Sequence, residues 1–205
     1  MIVTVQCITE RLELAKSVIK DADIPALFYV DVDKEGCLPS FGAMLNEFPI
    51  DEYRLHLQDD LMFADNISLY LPKIESYMQN KDLHVLSLFA PNRKLILKQY
   101  QEGKVIAPFP NYLWLQATMF SPKFQSVMRS EYNNLSDKSI KDDDVFVAHV
   151  MKKHKVKAHV HLPSIVQHNI DIKSSLGHAN SKNRESKVFD KNYINKVLKI
   201  NNELQ

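Results

Sequence analysis

Short apolar runs alternate along the chain with longer stretches in which apolar residues recur every three or four positions. Residues 2–8 (IVTVQCI) are β-branched and apolar, the pattern of a strand buried on both faces. Thr9 follows as a helix N-cap, and residues 10–22 place Leu12, Leu14, Ala15, Val18, Ile19 and Ala22 near a helical period. Residues 25–32 (PALFYVDV) read as a second strand ending at Asp31 and Asp33, and residues 37–48 as a helix started by Pro39-Ser40. Tyr53–Leu57 is a third strand that runs straight into Gln58-Asp59-Asp60. Residues 66–79 form a helix with Asn66 as its cap, and residues 83–89 (LHVLSLF) a fourth strand. Met119, Phe120, Phe124 and Met128 fall at helical spacing and read as core. Residues 188–204 read as a terminal helix after a polar, loop-like segment. This alternation predicts a single α/β domain with a mostly parallel central sheet flanked by helices.

Composition changes the picture only when it is divided by position. The 205 residues are 45% hydrophobic and 25% charged, which excludes wholesale disorder, and the net charge of +1 argues against a strongly basic protein. Residues 148–205, however, hold 11 Lys/Arg against 4 Asp/Glu, and the first 147 residues hold 15 against 21. An acidic body thus carries a basic end, which fits either a polyanionic partner or a solvated tail. Lys152, Lys153, Lys155 and Lys157 form a basic run, followed by Lys182, Arg184 and Lys187. His149, His154, His159 and His161 show no convergent ligand pattern and are expected to be mostly exposed.

Several chemistries lose their footing. There is no G-x-G-x-x-G, Walker loop or nucleophile elbow. Cys7 and Cys37 are the only cysteines and lack metal-site spacing; Cys7 reads as core, and a reducing, cytoplasmic location is expected. The N-terminus meets charge at Glu10, unlike a signal peptide, and no apolar run approaches the ~20 residues needed to span a bilayer.

Three groups carry candidate chemistry. Asp59 and Asp60 stand where the third strand leaves the sheet, the place where open α/β sheets bind ligands. Adjacent side chains diverge there, so one aspartate can hold Mg²⁺ or Mn²⁺ while the other meets a hydroxylated ligand; a polar turn is the plain alternative. Asp142-Asp143-Asp144 open a helix, either as a cap or as a cluster that raises a carboxyl pKa toward that of a general base. His168, in PSIVQHN, stands at a strand end, either as a metal ligand or as a surface histidine. Ser174, Ser175 and Gly177 follow in a loop able to wrap a phosphate. Tyr112 and Trp114 read as core or pocket wall.

Together these segments resemble the metal-dependent nucleotide-sugar glycosyltransferases of the GT-A fold. VTVQCITERLELAKSVI is similar to the start of that fold's nucleotide-binding half, HLQDDLMF to its acidic metal motif, and KDDDVFVAHV to the later acidic motif at a helix start. LPSIVQHNIDIKSSLGH is similar to a P-S-L-x-Q-H-x-G-x-x-S-S-L segment of the N-acetylglucosaminyltransferase IV-like group. It is closer to small bacteriophage-encoded glycosyltransferases, whose following Arg and Phe correspond to Arg184 and Phe189. Asn169-Ile170-Asp171 departs from the glycine common after the histidine.

The resemblance implies a GT-A domain over residues 1–178, with the basic loop and terminal helix of residues 179–205 in the same domain. It implies Asp60 and His168 as ligands of Mn²⁺ or Mg²⁺, and a UDP-sugar donor. Thr9, Glu10 and Arg11 would lie beside the nucleotide base, Asp59 against the donor ribose or sugar, and Asp31 against uridine or ribose. Lys173 and Ser175 would close over the diphosphate. Asp144, with Asp143 beside it, would be the base of an inverting transfer. Trp114 would border donor sugar and acceptor. The basic run, Lys153 and Lys155 in particular, would draw in a DNA acceptor carrying a 5-hydroxymethyl-pyrimidine such as hydroxymethylcytosine. A glycan, lipid or protein acceptor, a non-catalytic DNA-associated protein and a metal-dependent phosphoesterase are the alternatives. A monomer or homodimer without membrane attachment is expected.

Overall fold

The computed structural model describes residues 1–110, 114–136, 140–169, 171–172 and 185–203. The strands are β1 (Ile2–Ile8), β2 (Leu27–Asp31), β3 (Arg54–Gln58), β4 (Leu61–Phe63), β5 (Val85–Ser87), β6 (Ile106–Pro108), β7 (Ala117–Phe120), β8 (Ala158–His161) and β9 (Val166–His168). The helices are α1 (Leu12–Asp21), α2 (Cys37–Glu47), α3 (Ile67–Asn80), α4 (Lys94–Gln101), α5 (Pro122–Asn133), α6 (Asp143–Lys153) and α7 (Tyr193–Glu203). Seven strands form the main sheet in the order β2-β1-β3-β7-β5-β8-β6, and β4 and β9 form a small second sheet. Strands β1, β2, β3, β5 and β8 run one way, and β6 and β7 run against them. The protein is an α/β fold with a mostly parallel central sheet covered by helices on both faces. Among the described residues, no helix is long and apolar enough to cross a membrane.

The strand patterns explain the layering. Along β3, Leu55 and Leu57 join Val3, Val5 and Met119 under α1, α3 and α7. On the other face, Phe120 packs with Phe41 of α2, Phe124 of α5 and Phe146 of α6. Each such fully buried side chain contributes about 1.5–3 kcal/mol. Met119 and Phe120 lie on strand β7, so the helical spacing read across residues 119–128 holds only for Phe124 and Met128 of α5; all four are core.

Buried polar groups find local solutions. Arg54, 0% exposed, donates to the carbonyls of Met44 (3.3 Å) and Pro49 (3.0 Å), and Arg129 donates to Leu45 and to Phe48 (2.9 Å). Two guanidiniums therefore satisfy the C-terminal carbonyls of α2, where a helix dipole favours cations. The helix starts differ from expectation. Thr9–Arg11 is a 3₁₀ turn and α1 begins at Leu12, with no side-chain cap bond from Thr9. Asn66 precedes α3 in the left-handed region (φ 59°) and does not cap it through its side chain. Ser121 does cap α5, accepting from Phe124 N at 3.3 Å.

The histidines also divide. His149 and His154 are exposed, but His161 is 1% exposed, because β8 carries it inside against Tyr70 of α3 and Tyr193 of α7, at ring-centroid distances of 5.6 and 5.5 Å. Burial pushes its pKa down to about 4. This ring cluster, with fully buried Ile194, seats α7 on the core.

The close approach of α2 and α5 depends on Gly42. A Cβ there would lie 1.8 Å from Cζ of Tyr132, whose ring meets Phe146 edge-on at 6.0 Å. Gly42→Ala is expected to cost about 1–3 kcal/mol of unfolding free energy by overpacking. In a Tyr132→Ala background the penalty should shrink, and denaturant titration of the double-mutant cycle measures it.

Candidate functional site

The parallel register delivers the candidate residues to one end of the sheet. Ile8 pairs with Asp31 and Gln6 with Gln58, so the chain leaves β1, β2 and β3 at the same end, at Thr9, Asp31 and Asp59. Asp59 and Asp60 are 8% and 5% exposed. Directly after them, β4 pairs antiparallel with β9 in a register that sets Leu61 opposite His168, and Asn169 N donates to Asp60 O at 2.8 Å. This small sheet brings His168, fully buried, to Asp60: Nε2 lies 3.0 Å from Oδ2. The approach lacks hydrogen-bond geometry, and neither ring nitrogen of His168 has a hydrogen-bond partner. Arg11 completes the group, with Nη1 2.8 Å from Asp59 Oδ1 and 3.6 Å from Asp60 Oδ2. Burial pushes the Asp59 carboxyl above its ordinary range, against the pull of Arg11.

Buried imidazole nitrogens left without hydrogen bonds are costly, and a cation held between Asp60 and His168 would use one of them. The donor set of one carboxylate and one imidazole fits Mn²⁺ or Mg²⁺ that keeps several positions for non-protein oxygens. Among the described residues, no group of three or more His, Cys, Asp or Glu could hold a metal ion. Among the described residues, Asp60 and His168 are therefore two ligands and not a closed cage.

The other residues at this end have distinct settings. Thr9 and Glu10 are exposed, and Glu10 pairs with Lys34. Asp31 accepts from Glu35 N (2.9 Å) and Gly36 N (3.0 Å). Burial raises its pKa, but these bonds outweigh burial and hold it below the ordinary range. Both carboxylate oxygens thus shape the turn into α2, where Gly36 takes φ 109°.

Asp143 opens α6 on the face covered by α2 and α5. It is 4% exposed; Oδ1 accepts from Asp144 N at 2.8 Å, and Oδ2 is buried with no hydrogen-bond partner. Burial, then the charge of Asp144, pushes its pKa up to about 7. Asp144 is half-buried and accepts from Val145 N at 2.7 Å. The three aspartates face the start of α2: burial, then Asp143, raises the Cys37 thiol to about 12, and Gln6 of β1 donates to Cys37 O at 2.9 Å. A cavity of about 520 Å³ opens at the start of α2, lined by Leu38, Pro39, Tyr132, Ile140 and Lys141 and by none of the three aspartates.

Trp114 precedes the antiparallel strand β7 and so sits at this same end. It stacks on Phe109 at 6.4 Å, with Arg93 Cζ 4.4 Å from its ring centroid. Arg93, exposed at the start of α4, was not singled out by the sequence, because nothing local distinguishes a lone arginine after a strand. Lys173 and Ser175 lie outside the described residues, as does Arg184. Phe189 bridges to Ser164 in a parallel pair.

Lys153 and Lys155 do not border the aspartates. They follow the C-terminus of α6, whose 11 residues put about 16 Å between its ends. The chain then enters β8 at the opposite end of the sheet from Asp59 and Asp60. Lys153 is paired with Glu131 at 2.7 Å. Adjacency in sequence to the acidic helix start is undone by the helix itself.

No protein-family model and no curated protein sequence matches the chain. It is similar in structure to 4-diphosphocytidyl-2C-methyl-D-erythritol synthase from Anaerococcus prevotii, at 12% identity over 80% of this chain and 90% of that one, with a TM-score of 0.47. The inositol-1-phosphate CTP transferase from T. maritima matches at 10% identity over 92% and 78%, with a TM-score of 0.38. Mouse xyloside xylosyltransferase 1 matches at 14% over 73% and 59%, with a TM-score of 0.34. Likeness at this level says nothing about activity, and the fold stands on the strand order described above.

The burial of Asp143 has a stability signature. A carboxyl whose pKa is raised from 3.8 to about 7 holds its proton better in the folded state, so stability falls as pH rises from about 4 to about 7. Asp143→Asn mimics the protonated form. Thermal unfolding should show it equal to wild type near pH 4 and more stable near pH 8, by a few kcal/mol at about 1.4 kcal/mol per pH unit.

Proposed function

We propose that the chain is a metal-dependent glycosyltransferase that moves a sugar from a UDP-sugar to a hydroxyl acceptor with inversion. The observation that carries this reading is the buried Asp60–His168 pair, a carboxylate and an unsatisfied imidazole brought together beyond the carboxyl end of β3. Asp60 and His168 would hold Mn²⁺ or Mg²⁺, and that ion would supply Lewis-acid neutralisation of the diphosphate leaving group. Asp59, fixed by Arg11, accepts hydroxyl protons of ribose or sugar. Arg11 also keeps two adjacent carboxylates from repelling each other before the donor arrives. Thr9 and Glu10 at the mouth of β1, with Asp31 behind them, border the nucleoside.

Asp143 is the better base of the pair. Burial pushes its pKa up to about 7, and its Oδ2 has no competing donor. It removes the acceptor hydroxyl proton as the new C–O bond forms opposite the breaking bond to the diphosphate. Trp114, with Arg93 against its ring, would border the donor sugar and acceptor. A 5-hydroxymethyl-pyrimidine in DNA remains the acceptor that the sequence resemblance implies, now without Lys153 and Lys155, whose charge lies at the far end of α6. A glycan, lipid or protein acceptor is the alternative.

Incubation with UDP-sugars and Mn²⁺ should release UDP, and EDTA should stop it. Pyrophosphate release from a nucleoside triphosphate and a sugar phosphate, without UDP release from any donor, would replace this reading with nucleotidyl transfer. Asp60→Ala and His168→Ala should each weaken Mn²⁺-dependent donor binding at least about 10-fold by calorimetry.

Asp143→Asn should retain donor binding and lose about 10²–10⁴-fold in transfer rate. Quenched-flow or product assays on hydroxymethylcytosine DNA and on unmodified DNA measure that loss and identify the acceptor together.

A further inference from the structure

A second cavity, of about 430 Å³, opens at the opposite end of the sheet from the aspartates. Three segments build it: the entry to β5 (Leu83, His84), the first turns of α5 (Lys123, Phe124, Val127), and the turn from α6 into β8 (residues 154–159). Its floor is apolar and its rim is cationic. Lys123, Lys155 and Lys157 line it, with His84, His154 and His159, against a single acidic residue, Asp82.

Ordinary surface chemistry accounts for only part of this charge. Lysines at the C-terminus of α6 complement its dipole, and Lys153 and His154 share Glu131 at 2.7 Å each. Lys155 and Lys157 make no ion pair with any described carboxylate. Lys123 is not explained by a C-terminus at all. It sits in the first turn of α5, where the helix dipole disfavours a cation, and it too lacks a described partner. Three lysines from two separate segments thus converge on one cleft, against the single carboxylate of Asp82. The Nδ1 of His159 is buried without a hydrogen-bond partner, while His84 Nδ1 is engaged by Ser121 Oγ at 3.0 Å. Three ammonium groups with no described ion-pair partner therefore line a cleft whose floor is Leu83, Phe124, Val127 and Val156, which suits an anion with an apolar body.

We propose that this cleft binds a phosphate group carried on an apolar or aromatic moiety, at a site separate from the aspartate centre. The phosphate is held by Lys123, Lys155 and Lys157, and the attached ring lies on the apolar floor. The same chemistry is presented by a small phosphate monoester and by the backbone phosphates and bases of a single-stranded nucleic acid.

The test uses the full chain and NMR titration with phenyl phosphate, inorganic phosphate and a single-stranded dodecanucleotide. Binding should perturb the amides of residues 83–84, 123–127 and 155–159, and phenyl phosphate should bind more tightly than inorganic phosphate. Three exposed lysines are changed together in Lys123→Gln/Lys155→Gln/Lys157→Gln, with circular dichroism confirming the fold. This variant should lose at least about tenfold in affinity. Lysine-dependent binding of phenyl phosphate identifies a small-molecule source, and lysine-dependent binding of the dodecanucleotide alone identifies a polynucleotide. No perturbation by any probe, or affinity unchanged in the triple variant, overturns the proposal. UDP release at the aspartate centre is expected to be intact in this variant, so failure here and failure of the transferase reading are separately visible.

Discussion

Strand β7 is the joint on which the sheet depends. It runs against its neighbours and hydrogen-bonds to both β3 and β5, with Met119 opposite Leu55 on one side and Leu86 on the other. All four of its residues are fully buried. Without it, the β2-β1-β3 half and the β5-β8-β6 half would each expose an edge of unpaired backbone groups. Because β7 enters from the end where β3 leaves, it also brings Trp114 and Gln116 to that end. Gln116 O accepts from Gln58 N at 3.0 Å, one residue before the aspartate pair. The reversal of one strand therefore both closes the sheet and builds part of the candidate site.

The second constraint is the β4–β9 pairing. Asp60 and His168 lie over a hundred residues apart, and the three-residue register of this small sheet places them at 3.0 Å. Ser164 anchors the approach to β9: its Oγ accepts from Ala90 N at 2.9 Å and donates to Val166 O at 2.6 Å. The geometry of the centre thus rests on backbone pairing and on a buried hydroxyl, both rigid, not on a surface loop.

The sheet separates two groups of charge. Asp59 and Asp60 lie where β3 ends, and Lys155 and Lys157 lie where β8 begins. Helix α6 spans the two, with Asp143 at its start and the basic run at its finish, both orientations that suit its dipole.

Much of the fold was legible in the residues themselves. The β-branched runs of β1 and β3 and the periodicity of α1, α2 and α3 follow from local pattern, and the strand–helix alternation implied the α/β class. So did the position of Asp59-Asp60 at a strand exit and of Asp142–Asp144 at a helix start, since both are read within a few residues. Four features were not legible. The helical spacing of residues 119–128 hid a strand, because four apolar residues fit either period. His161 read as exposed, because its ring partners lie on α3 and α7. The basic run read as a neighbour of the acidic helix start, because sequence distance does not record the length of a helix. The choice between Asp143 and Asp144 depended on which side of α6 meets α2. Local propensity and periodicity are properties of contiguous residues, so the sequence by itself determined the elements and the chemistry at their ends. Burial, convergence and separation are properties of residues far apart in the chain, so only the tertiary structure decided that His168 meets Asp60, that Asp143 is the buried carboxyl, and that the lysines face the other way.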